Sequence, residues 1–437
     1  MLRRGSVHRV RQPVTTSELH PLRRVGGPLL FVTLGYFVDV FDLLLFAVVR
    51  VPSVRDLGAG SDSVEVGALL QNAQLLGLMI GGLVWGRLGD RRGRRAALYG
   101  SIVLYSIANL ANAVVTTIPA YAVWRFIAGF GLAGELGAGL TLVGEMVDRR
   151  ERGTATTLVA TFGTLGAVAA ALVGEFVPWR QAYAIGGFLG LALLVVRVRL
   201  HDSPMFTRTR ATSAHAGDIR RLLGTRERAA RYLRAILIGA PIWFTVGILI
   251  VFAPEFAGVL GVQGEIAAGR TVMVFYLGGA IGDLACGLLS QRLRSRRRAV
   301  AAFYALSVPA TLVFLTGAAD TPVAFYTLCG WLGFSAGYWA VMVTMAVEQF
   351  GTDLRATAAT SVPTFVRASA VPMTLAFLAL RPIVGMASAA GLIGALAFGI
   401  ASWALWRQSE TYGRDLDFIE EDVARAIPSA TSDACRS

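Results

Sequence analysis

The sequence predicts an all-α integral membrane protein, with twelve transmembrane helices arranged as two six-helix bundles related by a parallel repeat. Three observations predict it. Of 437 residues, 55% are hydrophobic and only 16% charged, with a mean hydropathy of +0.59; a soluble domain needs far more polar surface. The apolar residues fall in blocks of about twenty, the length that crosses a ~30 Å hydrocarbon core. Charged and glycine positions in the first half recur 201 to 203 residues later.

Apolar runs, read with charge and Pro/Gly punctuation, place spans near 27–49, 65–88, 96–117, 120–147, 154–177 and 181–199. Six more follow near 234–258, 267–290, 299–318, 322–349, 356–380 and 383–406. This gives an N-tail (1–26), an N-terminal bundle (27–199), a basic linker (200–233), a C-terminal bundle (234–406) and a C-tail (407–437). The linker is too short to build a substantial core; it tethers the bundles and favours anionic headgroups.

The chain has no Lys, so all 41 basic residues are Arg, and the net charge is +13. Such a balance suits nucleic acid, but its distribution does not. All but Arg50, Arg55, Arg125, Arg180, Arg270, Arg367 and Arg381 fall in the tails and alternate loops. That is the positive-inside pattern. The lipid bilayer is therefore the expected partner, not nucleic acid, with both termini on the cytoplasmic side of a plasma (inner) membrane. The Arg-rich start leads into a long apolar run that carries Asp39 and Asp42, with no small-residue cleavage site, as in a retained first span. Cys286 and Cys329 lie in apolar segments and Cys435 in the tail, so no disulfide framework is indicated.

The repeat is carried by named residues. Glu145 and Arg152, at the end of the fourth span, match Glu348 and Arg355, at the end of the tenth; Gly86 matches Gly287. Parallel repeats of this kind place a site between halves. Between spans 2 and 3 the chain reads Gly86-Arg87-Leu88-Gly89-Asp90-Arg91-Arg92-Gly93-Arg94-Arg95. Gly89 and Gly93 permit a tight turn, and Asp90 among Arg residues offers charge-assisted bonds that can form and break. A positive-inside loop explains the Arg but not the Gly-x-x-x-Asp-Arg-x-Gly-Arg-Arg spacing.

That spacing resembles the 2–3 loop signature of the major facilitator superfamily, and the six-plus-six repeat fits it along nearly the whole chain. In the second half Gln291 replaces the Asp. The resemblance implies that Gly86, Asp90, Arg91, Gly93, Arg94, Glu145, Arg152, Glu348 and Arg355 gate alternating access on the cytoplasmic face. Within the superfamily, Arg125-x-x-x-Gly129-x-Gly131-x-x-Gly134-Glu135 and Asp39-Val40-Phe41-Asp42 are similar to the metabolite:proton symporters and sugar porters. The metabolite symporters' basic residue within span 2 is missing.

An ionisable side chain at mid-membrane costs ~3 kcal/mol or more unless paired or solvated. Asp39, Asp42, Arg125, Glu135, Asp283 and Arg367 are therefore candidates for function. Asp39 and Asp42 share one helix face. Arg125 starts roughly 8 Å from the outer end of its helix and can reach Asp42. An Asp beside an Arg stays charged, and once they separate, burial makes proton uptake favourable. Asp42–Arg125 is thus either a coupling pair, with Asp39 beside it, or a fixed clamp between spans 1 and 4. Coupling is favoured, and the resemblance to sugar porters implies it. All four His lie in expected cytoplasmic segments. Asp283, near the end of span 8, is expected to gate beside the Arg cluster. Arg367, roughly 18 Å deep in span 11, either binds a carboxylate or pairs with an acid such as Glu135. Its repeat counterpart is Thr164. Tyr36, Gln71, Gln74, Trp243, Tyr276, Tyr338 and Trp339 are further candidate cavity residues, although most aromatics in spans are packing or belts.

The expected function is secondary, proton-coupled symport of a small organic metabolite, an organic acid or other small polar solute, by a monomer using alternating access. A proton-coupled antiporter expelling drugs or metabolites, or a sugar uniporter, is the alternative. No metal motif, nucleophile elbow or phosphate-binding loop appears. The chain is thus expected to be no enzyme, with no metal and no cofactor beyond a proton gradient.

Overall fold

The computed structural model describes residues 21–60, 63–92, 94–146, 152–199 and 222–414. Side chains are described from residue 30 onward within these, except at 31–32, 89–96, 135–146, 152–158, 160–161, 199, 352–353 and 356. The described residues form helices and short connections. The first half comprises α1 (Pro21–Asp56), α2 (Ser63–Arg92), α3 (Arg94–Asn112), α4 (Ile118–Met146), α5 (Arg152–Phe176) and α6 (Trp179–Arg199), corresponding to spans 1 to 6. Span 7 is α7 (Arg226–Phe244), a π-helical segment (Thr245–Ile250) and α8 (Ala253–Leu260). Spans 8 and 9 are α9 (Ala268–Leu293) and α10 (Arg296–Leu315). Span 10 is α11 (Pro322–Ala336) with α12 (Trp339–Glu348), span 11 is α13 (Thr352–Ala368) with α14 (Ala370–Val384), and span 12 is α15 (Met386–Arg407). Among the described residues, eight segments are long and apolar enough to cross a bilayer.

Two features depart from the hydropathy reading. Span 7 begins at Arg226, within the expected linker, because Thr225 caps it, its hydroxyl accepting from the Arg228 N–H at 3.3 Å. Glu227 in the first turn complements the helix dipole. The Arg-rich first turns simply extend the helix beyond its apolar stretch. Spans 7, 10 and 11 are also broken. Pro241 supplies no N–H to span 7, and the Thr245 hydroxyl donates to its carbonyl at 3.0 Å where the π turn starts. Gly337, at φ −74° and ψ 54°, interrupts span 10. In span 11, Pro372 cannot donate to the Ala368 carbonyl, and the helix restarts after Ser369.

Glycine contacts make the repeat physical. Gly77 and Gly81 of α2 lie so close to α4 that an added Cβ would overlap the Phe126 and Phe130 carbonyl oxygens. Gly278 and Gly282 of α9 stand in the same relation to the Gly330 and Phe334 carbonyls of α11. Spans 2 and 4 thus pack as spans 8 and 10 do, by close backbone approach at small residues. The two bundles meet along a seam where α1 and α5 face α9, and α2 faces α13 and α14.

Candidate functional site

A cavity of about 90 Å³ lies on that seam. The first half lines it with Tyr36, Val40, Leu43 and Leu44 of α1 and Thr164 of α5. The second half supplies Ile242, Trp243 and Val246 of span 7; Phe275, Tyr276, Gly279 and Asp283 of α9; Gly333, Ala336, Gly337 and Trp339 of span 10; and Arg367 of α13. Six candidates from the sequence, Tyr36, Trp243, Tyr276, Asp283, Trp339 and Arg367, therefore converge on one cavity. Thr164 and Arg367 stand at equivalent positions of the repeat, so pseudo-symmetric places carry a hydroxyl and a guanidinium.

Arg367 is 4% exposed. Its guanidinium lies 5.1 Å from the centre of the Trp339 ring, a cation–π contact that orients it without consuming its fork of donors. The ion pairs found among the described residues do not include it. The Trp339 indole N–H donates across the seam to the Tyr36 hydroxyl oxygen, in the field of Arg367, Asp283 and Asp39. Asp39 itself is buried.

Asp283 corrects an expectation. It stands well inside α9, which runs on to Leu293, and its carboxylate accepts from the backbone N–H of Ala340 at 3.0 Å and of Trp339. The break in span 10 exposes the N-terminus of α12, and Asp283 closes it from a neighbouring helix. Its carboxylate thus faces the cavity and the start of α12, and the ion pairs found among the described residues do not join it to the Arg cluster.

Three other candidates are not on the wall. Gln71 donates to the Gly247 carbonyl at 3.1 Å, joining α2 to the π segment of span 7. Gln74 accepts from Arg125 and donates to the Leu43 carbonyl at 3.4 Å. Tyr338 is buried inside the second bundle, edge-on to Tyr304 at 5.3 Å. Position along the apolar runs placed all three near the centre of their spans, but the face each presents is set by packing. The glycines and Thr164 on the wall went unselected because neither type stands out in an apolar run.

Behind the cavity, inside the first bundle, lies a second polar cluster. Arg125 is fully buried, bonded to Gln74, with its guanidinium 4.9 Å from the Phe46 ring centre and 5.5 Å from that of Tyr183. Asp42 is buried and acts on Tyr183 electrostatically. Its carboxylate packs on Gly186 of α6, where a Cβ would stand 2.6 Å from Oδ1. Tyr183 shares a 2.6 Å hydrogen bond with Tyr121, whose hydroxyl donates to Ser53 at 3.3 Å. The structure gathers Asp42 and Arg125 around Tyr183, with Gln74 as the guanidinium's hydrogen-bond acceptor.

Where span 12 ends, Glu348 bonds Arg296 at 3.2 Å and accepts from the Thr411 hydroxyl at 2.7 Å. Arg355 donates to the Phe350 carbonyl at 3.3 Å. Glu410 ties the chain after span 12 to the start of α10. Burial opposes its charge, but hydrogen bonds from the Ser295 hydroxyl and the Tyr412, Arg296 and Thr411 N–H groups outweigh it and lower its pKa. Gly86 lies in α2, where an added Cβ would meet nothing. Gly93 and the side chains of Asp90, Arg91, Arg94, Glu135, Glu145 and Arg152 lie outside the described residues.

Comparison with known proteins places this architecture. The chain is 27% identical over 363 residues to the putative niacin/nicotinamide transporter NiaP of Bacillus subtilis (strain 168), covering 80% of this chain and 88% of that one. It is 28% identical over 313 residues to the 3-(3-hydroxy-phenyl)propionate transporter of Escherichia coli (strain K12), covering 68% and 72%. The crystal structure of a D-xylose-proton symporter superposes with a TM-score of 0.67 at 18% identity, covering 90% of this chain and all of that one, and so shares the fold. The sequence model described as Major Facilitator Superfamily matches residues 32–371. This multi-pass membrane protein is a transporter rather than an enzyme, and it belongs to the Major Facilitator Superfamily.

Proposed function

We propose that the protein imports a small ring-bearing organic acid by proton-coupled symport, with both termini in the cytoplasm and no cofactor beyond the proton gradient. The observation that carries this reading is Arg367: a buried guanidinium held against the Trp339 ring and lining a cavity between the halves. A carboxylate matches that fork bidentately, and the rings of Trp243, Tyr276 and Trp339 suit a flat apolar body. The cargoes named for the two relatives, niacin/nicotinamide and 3-(3-hydroxy-phenyl)propionate, all carry a ring, and all but nicotinamide a carboxylate. The Arg asymmetry between loops supports the orientation.

The discriminating experiment is a binding screen on purified protein with paired probes: nicotinate against nicotinamide, benzoate against benzamide, and xylose. Thermal stabilisation by the acids over the matched amides is expected. Equal stabilisation by acid and amide, or a response to xylose alone, would remove Arg367 from cargo recognition.

Cargo size gives a second test. A cavity of about 90 Å³ is smaller than the ~150 Å³ that holds benzene in a protein core, so even a single-ring cargo requires the walls to move. On α9, Gly278 and Gly282 are demanded by backbone contact, whereas a Cβ at Gly279 would meet only the Gly333 carbonyl, at 3.5 Å. Gly279→Ala should therefore fold well, since Ala is about 1 kcal/mol better than Gly in a helix. The added methyl enters the cavity and should raise KM for a ring-bearing acid roughly fivefold or more. Transport assays across acids of graded size, with melting temperature as the control, check both parts.

A further inference from the structure

Three ion pairs bridge the bundles at the face opposite the end of span 12. They are Arg50 of α1 with Glu255 of α8 at 2.6 Å, Arg270 of α9 with Glu175 of α5 at 2.6 Å, and Arg381 of α14 with Glu65 of α2. Two of them are ordinary. Arg270 is 56% exposed and Glu65 is 47% exposed, and pairs so wetted contribute little.

Arg50 is different in kind. Its side chain is 0% exposed. Besides Glu255, its Nη2 donates to the Val251 carbonyl at 2.9 Å, and its guanidinium lies 4.7 Å from the Phe252 ring centre. Val251 and Phe252 are the turn between the π segment and α8, where span 7 leaves regular helix. The side chain passes Gly67 of α2, where a Cβ would stand 2.9 Å from the Arg50 Cδ and 3.0 Å from Nη1. That position has to be small for Arg50 to cross the seam. Arg50 and Glu255 are 205 residues apart, close to the repeat spacing, so they join nearly equivalent places on spans 1 and 7.

Two Arg50 nitrogens, Nε and Nη1, are buried and find no acceptor. A buried charge with donors that no protein group meets is a poor way to stabilise a resting protein. It makes better sense as a contact that forms and releases. Ser53, one turn further along α1, donates to the Arg50 carbonyl at 3.0 Å and accepts from Tyr121 of α4. The segment bearing Arg50 is therefore tied to the first bundle, and its charged end to the second.

We propose that Arg50 is the latch of the gate on this face. Docked on Val251 and Glu255, it holds the end of span 7 against α1 and closes the cavity from that side; opening withdraws the guanidinium past Gly67 and frees α8. The surface pairs Arg270–Glu175 and Arg381–Glu65 follow the motion and do not set it. The proposal rests on the carrier reading of the seam, and on neither the cargo nor the proton.

The test uses full-length protein in proteoliposomes of known orientation, with Cys286, Cys329 and Cys435 changed to Ser and a reporter Leu44→Cys on the cavity wall. A membrane-impermeant maleimide is added at the face that carries these ion pairs. Arg50→Met and Glu255→Gln should each raise the labelling rate by about tenfold or more, as a shifted closed–open equilibrium requires. Arg270→Gln and Arg381→Gln should change it less than about twofold. Glu255→Gln keeps size and shape, so it reports even where the Arg50 variant fails to fold. Unchanged labelling in monodisperse Glu255→Gln protein would overturn the latch, as would an equal rise in the surface-pair variants. The readout needs neither cargo nor gradient, so its failure is distinguishable from failure of the symport reading.

Discussion

Asp42→Asn is expected to abolish accumulation driven by a pH gradient while leaving cargo counterflow intact. Asp42 is buried in the first bundle with Arg125, Tyr183 and Gly186 around it, away from the cavity wall. Asn retains its size and packs on Gly186, so the bundle should survive. What is lost is the one thing Asn cannot do, carry a proton across. Counterflow needs only the rocking of a loaded carrier; net accumulation needs the proton to travel with it. Uptake into proteoliposomes with and without an imposed gradient, alongside counterflow, separates the two. Gradient-driven accumulation at the parent level would remove Asp42 from coupling and leave it a clamp between α1 and α6.

Arg367→Gln should produce the largest loss that depends on cargo charge. Hydrogen bonds to a charged group contribute about 1.5–3 kcal/mol each, so losing the guanidinium should raise KM for carboxylates by about 10- to 100-fold. A neutral amide of the same ring should lose much less. Gln also removes the cation from the Trp339 face and loosens the wall that Asp283 and Tyr36 hold from the other side. Competition assays with acid and amide pairs measure the selectivity directly. An equal loss for both would mean that Arg367 supports the fold and does not read the cargo.

Much of this architecture was legible in the sequence because membrane physics is severe. Runs of about twenty apolar residues, Arg confined to alternate loops, and Glu145/Arg152 echoed by Glu348/Arg355 admit few folds. The superfamily was legible by resemblance only, through the residue spacing of the 2–3 loop. That Arg367 and the aromatics near it stand well inside their spans was legible too, since position along a helix follows from residue count. Facing was not. Gln71, Gln74 and Asp283 each lie at a plausible depth, but whether a side chain turns to the cavity, the seam or a bundle interior depends on how the helices pack. Asp283 shows why: it caps α12 only because span 10 breaks at Gly337, and no apolar pattern announces that break. Arg50 was passed over for the converse reason. It lies where an outer-loop Arg belongs, and only the small residue at Gly67 and the turn at Val251 reveal that it crosses the seam.

The central claim is that cargo and proton cross together, with Arg367 holding one and Asp42 carrying the other. The most direct measurement is an extravesicular pH recording in lightly buffered, de-energised proteoliposomes, on adding an acid that binds in the paired-probe screen. Alkalinisation that follows uptake, and disappears in Asp42→Asn, is the result expected. Uptake with no movement of protons would contradict it.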